Sequence, residues 1–189
     1  MNLNRPLILA SKSPRRQQLL EEAGFRFQVK TVETCESYPQ ELDIHQVAIY
    51  LARKKVESFI PHLDNEIVIT ADTVVIIGDQ IIGKPKDANE AAEMLRMLSG
   101  SKHQVTTGVC IATKEELECF DDTTDVYFKE LSDDEIHYYI SEYNPLDKAG
   151  AYGIQEWIGM IGIKRIEGSY FNVVGLPIQK IYHYLQKYS

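Results

Sequence analysis

Two hydroxyls and three basic side chains crowd into six positions, Ser11-Lys12-Ser13-Pro14-Arg15-Arg16. An apolar run precedes them and an amphipathic run follows. A strand-to-helix corner of this kind presents backbone N–H groups at the helix N-terminus. With adjacent guanidiniums, those groups grip phosphate-like anions. A basic helix start without a ligand is the alternative, at a small cost against the helix dipole. Asp72, in "TADTVV", closes an apolar run, and ligands gather at strand ends in α/β sheets. Taken alone, an Asp that caps a turn with Thr73 is the simpler account. Lys84 in "GKP", and Lys54 and Lys55 on a helix, could each reach a phosphate or stay solvated. In "DKAGAYGIQ" (147–155), small residues would let the backbone approach a ligand. Asp147, Lys148, Tyr152 and Gln155 could read its polar groups, or the segment is simply an irregular loop. "EGSYFNVVGLP" (167–177) reads as packing and turns.

Several chemistries are excluded. There is no GxxxxGK[ST] loop, no GxGxxG fingerprint and no nucleophile elbow. Cys35, Cys110 and Cys119 are odd in number and carry no metal-ligand spacing, so buried or idle thiols are expected. The 189-residue chain is 44% hydrophobic and 25% charged, as a folded domain requires. A net charge of −8 argues against nucleic-acid polymers and membranes as partners, though not against a small anion in a local basic pocket. No apolar run is long enough to span a bilayer, and the N-terminal one is too short for a signal peptide, so a cytoplasmic protein is expected.

The elements that must position these residues are legible as periodicities. "LILA" (7–10) suits a buried strand. Ser13 as N-cap and Pro14 at the first helical position open a helix that stops at Gly24. "FRFQVKTV" alternates like a strand, 32–42 reads as a loop, and a helix begins near Asp43. "EIVITAD" and "TVVIIG" are strand-like, with a turn at "GDQ". Asp87/Glu90 and Ser132/Glu135 look like capping boxes. Two longer strands lie between those helices, and a last helix covers about 177–187. Helices alternating with hairpin-like strand pairs imply an α/β fold with a mixed, twisted sheet.

In this order, "LILASKSPRRQQLL", "LARKK", "ADTVV", "GKP", "AAEMLRMLSG", "HQVTTGV", "PLDKAGAYGIQ" and "GSYFNVVGLP" resemble the Maf family of nucleotide pyrophosphatases. The resemblance covers nearly the whole chain and implies one domain over 1–189. It implies an elongated twisted sheet flanked by helices, with two lobes around a central cleft. It also implies a divalent cation, Mg²⁺ or Mn²⁺, and hydrolysis of a nucleoside triphosphate to the monophosphate and pyrophosphate. "ADT" and "YGIQ" point to the dTTP/UTP branch, tied to removal of non-canonical nucleotides and to cell-division arrest. The 7-methyl-GTP branch and a non-enzymatic nucleotide-binding regulator are the alternatives. By the same resemblance Asp72 is the catalytic proton acceptor, or a metal ligand. Arg15, Thr73 and Gln155 set base preference. Ser11, Arg16, Lys55 and Lys84 match other residues of the active cleft, and together with Ser13 at the helix start they are expected to hold phosphate. Glu36, 19 residues before Lys55, or its neighbour Glu33, is the second metal-binding carboxylate. A homodimer is compatible with the family.

Overall fold

The computed structural model describes every residue except Met1, Val32, Glu33 and Glu36. The Glu36 and Glu33 assignments therefore lie outside the described residues. In chain order the elements are β1 (Leu7–Leu9), α1 (Pro14–Glu22), β2 (Gln28–Val29), α2 (Val47–Glu57), β3 (Ile67–Ile77), β4 (Gln80–Ile82) and α3 (Ala88–Leu98). Then come β5 (Lys102–Ala112), β6 (Leu117–Phe128), α4 (Asp133–Tyr143), α5 (Trp157–Gly162), β7 (Ile163–Glu167), α6 (Tyr170–Val174) and α7 (Ile178–Leu185). The seven strands form one mixed sheet in the order β2-β1-β3-β5-β6-β7, with β4 on β3. The α/β expectation holds, and helices flank the sheet.

The chain divides into two units. The first holds residues 1–72, 107–122 and 175–189; the second holds 73–106 and 123–174. In the first unit Ile8, Ala52, Val56, Leu63, Val68 and Ala112 build a core between α2 and the sheet. In the second, α3 supplies Ala91, Ala92, Leu95 and Leu98, which pack with Phe128, Ile136, Tyr139 and Ile158.

Sequence and structure differ locally. The two strand-like runs around Asp72 are one uninterrupted strand, β3, so Asp72 is not at a strand end. No Gly or Pro breaks "ITADTVV". What changes at Asp72 is the pairing: β1 runs parallel to Ile67–Ile69, whereas β4 runs antiparallel to Val75–Ile77. Among the described residues of the alternating segment after Phe25, Gln28–Val29 pair with β1, and the Lys30 N–H donates to Leu9 O at 3.2 Å. Ser132 and Glu135 form the full capping box. At α3 the Asp87 side chain accepts the Glu90 N–H, but the Glu90 carboxylate reaches the Lys86 N–H instead of the cap. Ser13 occupies the N-cap position of α1 without a side-chain cap bond. Cys110 and Cys119 are disulfide-bonded, correcting the expectation of idle thiols, whereas Cys35 is a free, exposed thiol. The turn that joins β5 to β6 brings the pair to a Cα separation of 4.2 Å, which spacing along the chain does not reveal.

One buried group of the second unit sets a pH limit. His103, 1% exposed on β5, shares a 2.7 Å hydrogen bond between Nε2 and the Tyr152 hydroxyl. Its ring packs edge-on against Phe128. Among the described residues its Nδ1 has no hydrogen-bond partner. Burial pushes the imidazole pKa down to about 4 from its ordinary 6.5. The folded state thus binds the proton less readily than the unfolded one. The stabilisation is complete above pH 6.5 and is lost as pH falls toward 4, by up to about 3 kcal/mol. Melting temperatures should fall over this window, and His103→Gln should flatten that part of the profile. An equal slope in wild type and variant would remove His103 as the cause.

Candidate active site

The first unit assembles the basic corner around one guanidinium. After Leu9 the chain leaves the sheet, with the Ala10 N–H still donating to Ile69 O at 2.8 Å. Ser11 is buried, and its Oγ accepts the Ser13 N–H at 3.2 Å. Gln17 Nε2 donates to Ser11 O. Arg16, on the first turn of α1, donates from Nη1 to Ala71 O at 2.8 Å and from Nε to Gly175 O at 2.8 Å. Its Nη1 also lies 3.4 Å from Ser11 Oγ. One side chain therefore ties the corner to β3 and to the turn before α7. Arg15 is half-buried on the same helical turn, and Lys12 is exposed.

Asp72 is met by Lys55, whose Nζ donates to Oδ2 at 2.5 Å with both side chains mostly covered. The two residues come from α2 and β3, and three contacts fix that spacing. The buried Thr70 hydroxyl donates to Ala52 O at 2.7 Å, locking α2 to β3. The Ser58 hydroxyl donates to Lys55 O at 2.7 Å, closing the last turn of α2. Gly108 on β5 lies against the α2 backbone: a Cβ there would stand 2.3 Å from Ile49 N and 2.4 Å from Ala48 C. Ser11, Ser13, Arg15, Arg16, Lys55 and Asp72 thus share one unit.

Thr73, Lys84 and Gln155 belong to the other unit. Thr73 is half-buried on β3, next in sequence to Asp72, and Lys84 is exposed after β4. Gly83 O accepts the Gly150 N–H at 3.0 Å, joining the "GKP" loop to the segment leading to Gln155. Gln155 is exposed and lines a cavity of about 500 Å³ with Ile154, Met160, Ile163, Arg165 and Tyr170. Two neighbours with proposed polar-reading roles are instead used internally. Lys148 is buried, with Nζ 2.8 Å from Asp147 Oδ1 and 3.2 Å from Glu156 Oε1. Tyr152 is buried against His103, and burial raises its phenol pKa beyond the ordinary range.

Sequence reasoning missed the carbonyls of Ala71 and Gly175, which the Arg16 guanidinium holds. Carbonyls carry no sequence signature, and Gly175 lies 159 residues from Arg16. Among the described residues no group of three or more His, Cys, Asp or Glu is placed to enclose a metal ion. Asp72 does offer the hard oxygen donor that Mg²⁺ takes, and Mg²⁺ commonly binds through one or two carboxylates plus substrate phosphates. The described donors fit that mode and no all-protein cage. No helix among the described residues is long and apolar enough to cross a membrane.

Comparison with known proteins gives a consistent result. Residues 6–188 match the family described as Maf-like protein. The chain is 50% identical over 187 residues to the dTTP/UTP pyrophosphatase of Porphyromonas gingivalis, covering 97% of this chain and 94% of that one. It is 48% identical over 189 residues to the dTTP/UTP pyrophosphatase of Bacteroides fragilis, covering 98% of each. The solved structure of the Staphylococcus aureus Ham1 protein superposes with a TM-score of 0.55 at 15% identity, covering 98% of this chain and all of that one. At that identity the likeness concerns the fold alone.

The Gly108 contact predicts a measurable cost. The atoms that a methyl group would meet are backbone, so α2 itself must move. Gly108→Ala should destabilise the protein by roughly 1–3 kcal/mol, lowering Tm by several degrees. A structure of the variant should show Lys55 drawn away from Asp72. An unchanged Tm and an intact 2.5 Å contact would show that α2 yields without cost.

Proposed function

The chain belongs to the family of Maf-like proteins, and we propose that it hydrolyses dTTP and UTP to the monophosphate and pyrophosphate. The observation that carries this reading is the Lys55–Asp72 pair beside the Arg16-anchored corner. It occurs in a chain that shares half its residues with proteins named dTTP/UTP pyrophosphatase. The enzyme acts as one catalytic domain over 1–189 in the cytoplasm, where its substrates are made. Modified pyrimidine nucleotides fit the same reading, with removal of non-canonical nucleotides and cell-division arrest as its cellular setting.

Water attacks the α-phosphorus, the bond from that phosphorus to the oxygen bridging to the β-phosphate breaks, and pyrophosphate leaves. The protein's tasks are to neutralise charge, place the water and accept its proton. Asp72 accepts that proton. Lys55 fixes the plane of the carboxylate by holding Oδ2. Ser11, Ser13 and Lys84 contribute to binding the triphosphate, with the N–H groups that open α1. Arg16 contributes charge there while two of its donors hold carbonyls. Arg15, Thr73 and Gln155 select the base. The Gln155 amide both donates and accepts, as the O4/N3 edge of uracil or thymine requires. A divalent cation, Mg²⁺ or Mn²⁺, would be held by Asp72, with Glu36 as the expected second carboxylate. When bound, it supplies positive charge to the phosphate oxygens.

Two measurements test this. Asp72→Asn should reduce turnover roughly 10²–10⁴-fold, the usual contribution of a positioned base. Near-normal turnover would remove Asp72 from that role. With dTTP or UTP and Mg²⁺, the products should be pyrophosphate and a monophosphate. Free phosphate with a diphosphate would place the attack at the γ position and overturn the reaction class.

A further inference from the structure

Gln155 sits in a β-turn whose two ends are fastened to one phenol. The Glu156 N–H donates to Gly153 O at 3.0 Å, closing a four-residue turn with Gln155 third. At the first position, the Gly153 N–H donates to the Tyr139 hydroxyl at 3.0 Å. At the fourth, the same hydroxyl donates to Glu156 Oε2. The other carboxylate oxygen of Glu156 faces the buried Lys148 ammonium at 3.2 Å. Gly153 makes this closure sterically feasible, because a Cβ there would stand 2.8 Å from the Glu156 carboxyl carbon. Glu156 is also the N-cap of α5, and its carbonyl accepts the Gly159 N–H at 3.0 Å. Tyr139 itself is immobile: fully buried on α4, with its ring stacked on Tyr143.

We propose that Tyr139 and Glu156 are positioning residues for base selection, holding the turn that aims the Gln155 amide. This rests on the reading that Gln155 contacts the base. Neither residue needs to touch substrate. Their effect passes through the turn, where a displacement of about 1 Å can cost up to about 10²-fold. Tyr139 and Lys148 are buried and Glu156 is mostly covered, so each hydroxyl or carboxylate removed leaves a partner unsatisfied. The two anchors hold the first and fourth residues, leaving the third exposed toward a ligand.

The experiment measures kcat and KM for UTP, dTTP and CTP in five proteins: wild type, Gln155→Ala, Tyr139→Phe, Glu156→Ala and the Tyr139→Phe/Gln155→Ala double variant. Tyr139→Phe and Glu156→Ala should each reduce the preference for UTP and dTTP over CTP by about tenfold. The loss should appear in KM for the favoured substrates, with kcat changed less than about threefold. In the Gln155→Ala background, Tyr139→Phe should change the preference no further. If Tyr139→Phe does not fold, Glu156→Ala, which removes the acceptor of the phenol, gives the same readout. If Gln155→Ala abolishes the preference while both anchor variants retain it, the positioning role is overturned and the base-selection reading stands. If Gln155→Ala leaves the preference intact, both fall.

Discussion

A strand that takes a parallel partner at one end and an antiparallel partner at the other cannot be served by one continuous ladder. β3 is such a strand: β1 pairs with Ile67–Ile69, β4 with Val75–Ile77, and neither reaches Ala71 or Asp72. Backbone polar groups inside a fold require partners. The Ala71 carbonyl finds one in the Arg16 guanidinium, which arrives from α1 and also holds Gly175. Burial along β3 shows the same break: from Ile67 to Ile76 only Asp72 and Thr73 are partly exposed. The Asp72 carboxylate thus combines a place within a sheet strand with partial exposure.

That arrangement explains why so much of the first unit serves the spacing of two side chains. Lys55 and Asp72 are each supported by groups that need no contact with substrate: Thr70, Ser58 and Gly108 around α2, and Arg16 beside β3. At this burial the attraction within an ion pair offsets the cost of desolvating both charges only when its geometry is held. A hydroxyl on a helix carbonyl and a glycine against a helix backbone supply that restraint.

The sequence disclosed the elements better than their connections. Capping residues, turn glycines and apolar periodicities located α1, α3, α4 and the long strands, because those signals are local. Asp72 was assigned to a strand end because partner exchange leaves no trace in a run of β-forming residues. Cys110 and Cys119 looked idle because a turn, not a motif, brings them together. The candidate residues stood out where their chemistry is unusual for their place, as with Arg15 and Arg16 in a helix's first turn. Tyr139 and Glu156 did not, since a tyrosine on an amphipathic helix and a glutamate in an irregular glycine-containing segment have ordinary explanations.

The turn at 153–156 has an implication for how such an enzyme changes over time. Its geometry is specified by Gly153, Glu156 and the Tyr139 phenol, none of which is the residue displayed. The displayed side chain can then be exchanged without rebuilding its support. On the proposed reading of Gln155, a lineage that keeps these three residues could alter its taste for nucleobases by a single codon at position 155. Losing any of the three would remove a contact that shapes the turn.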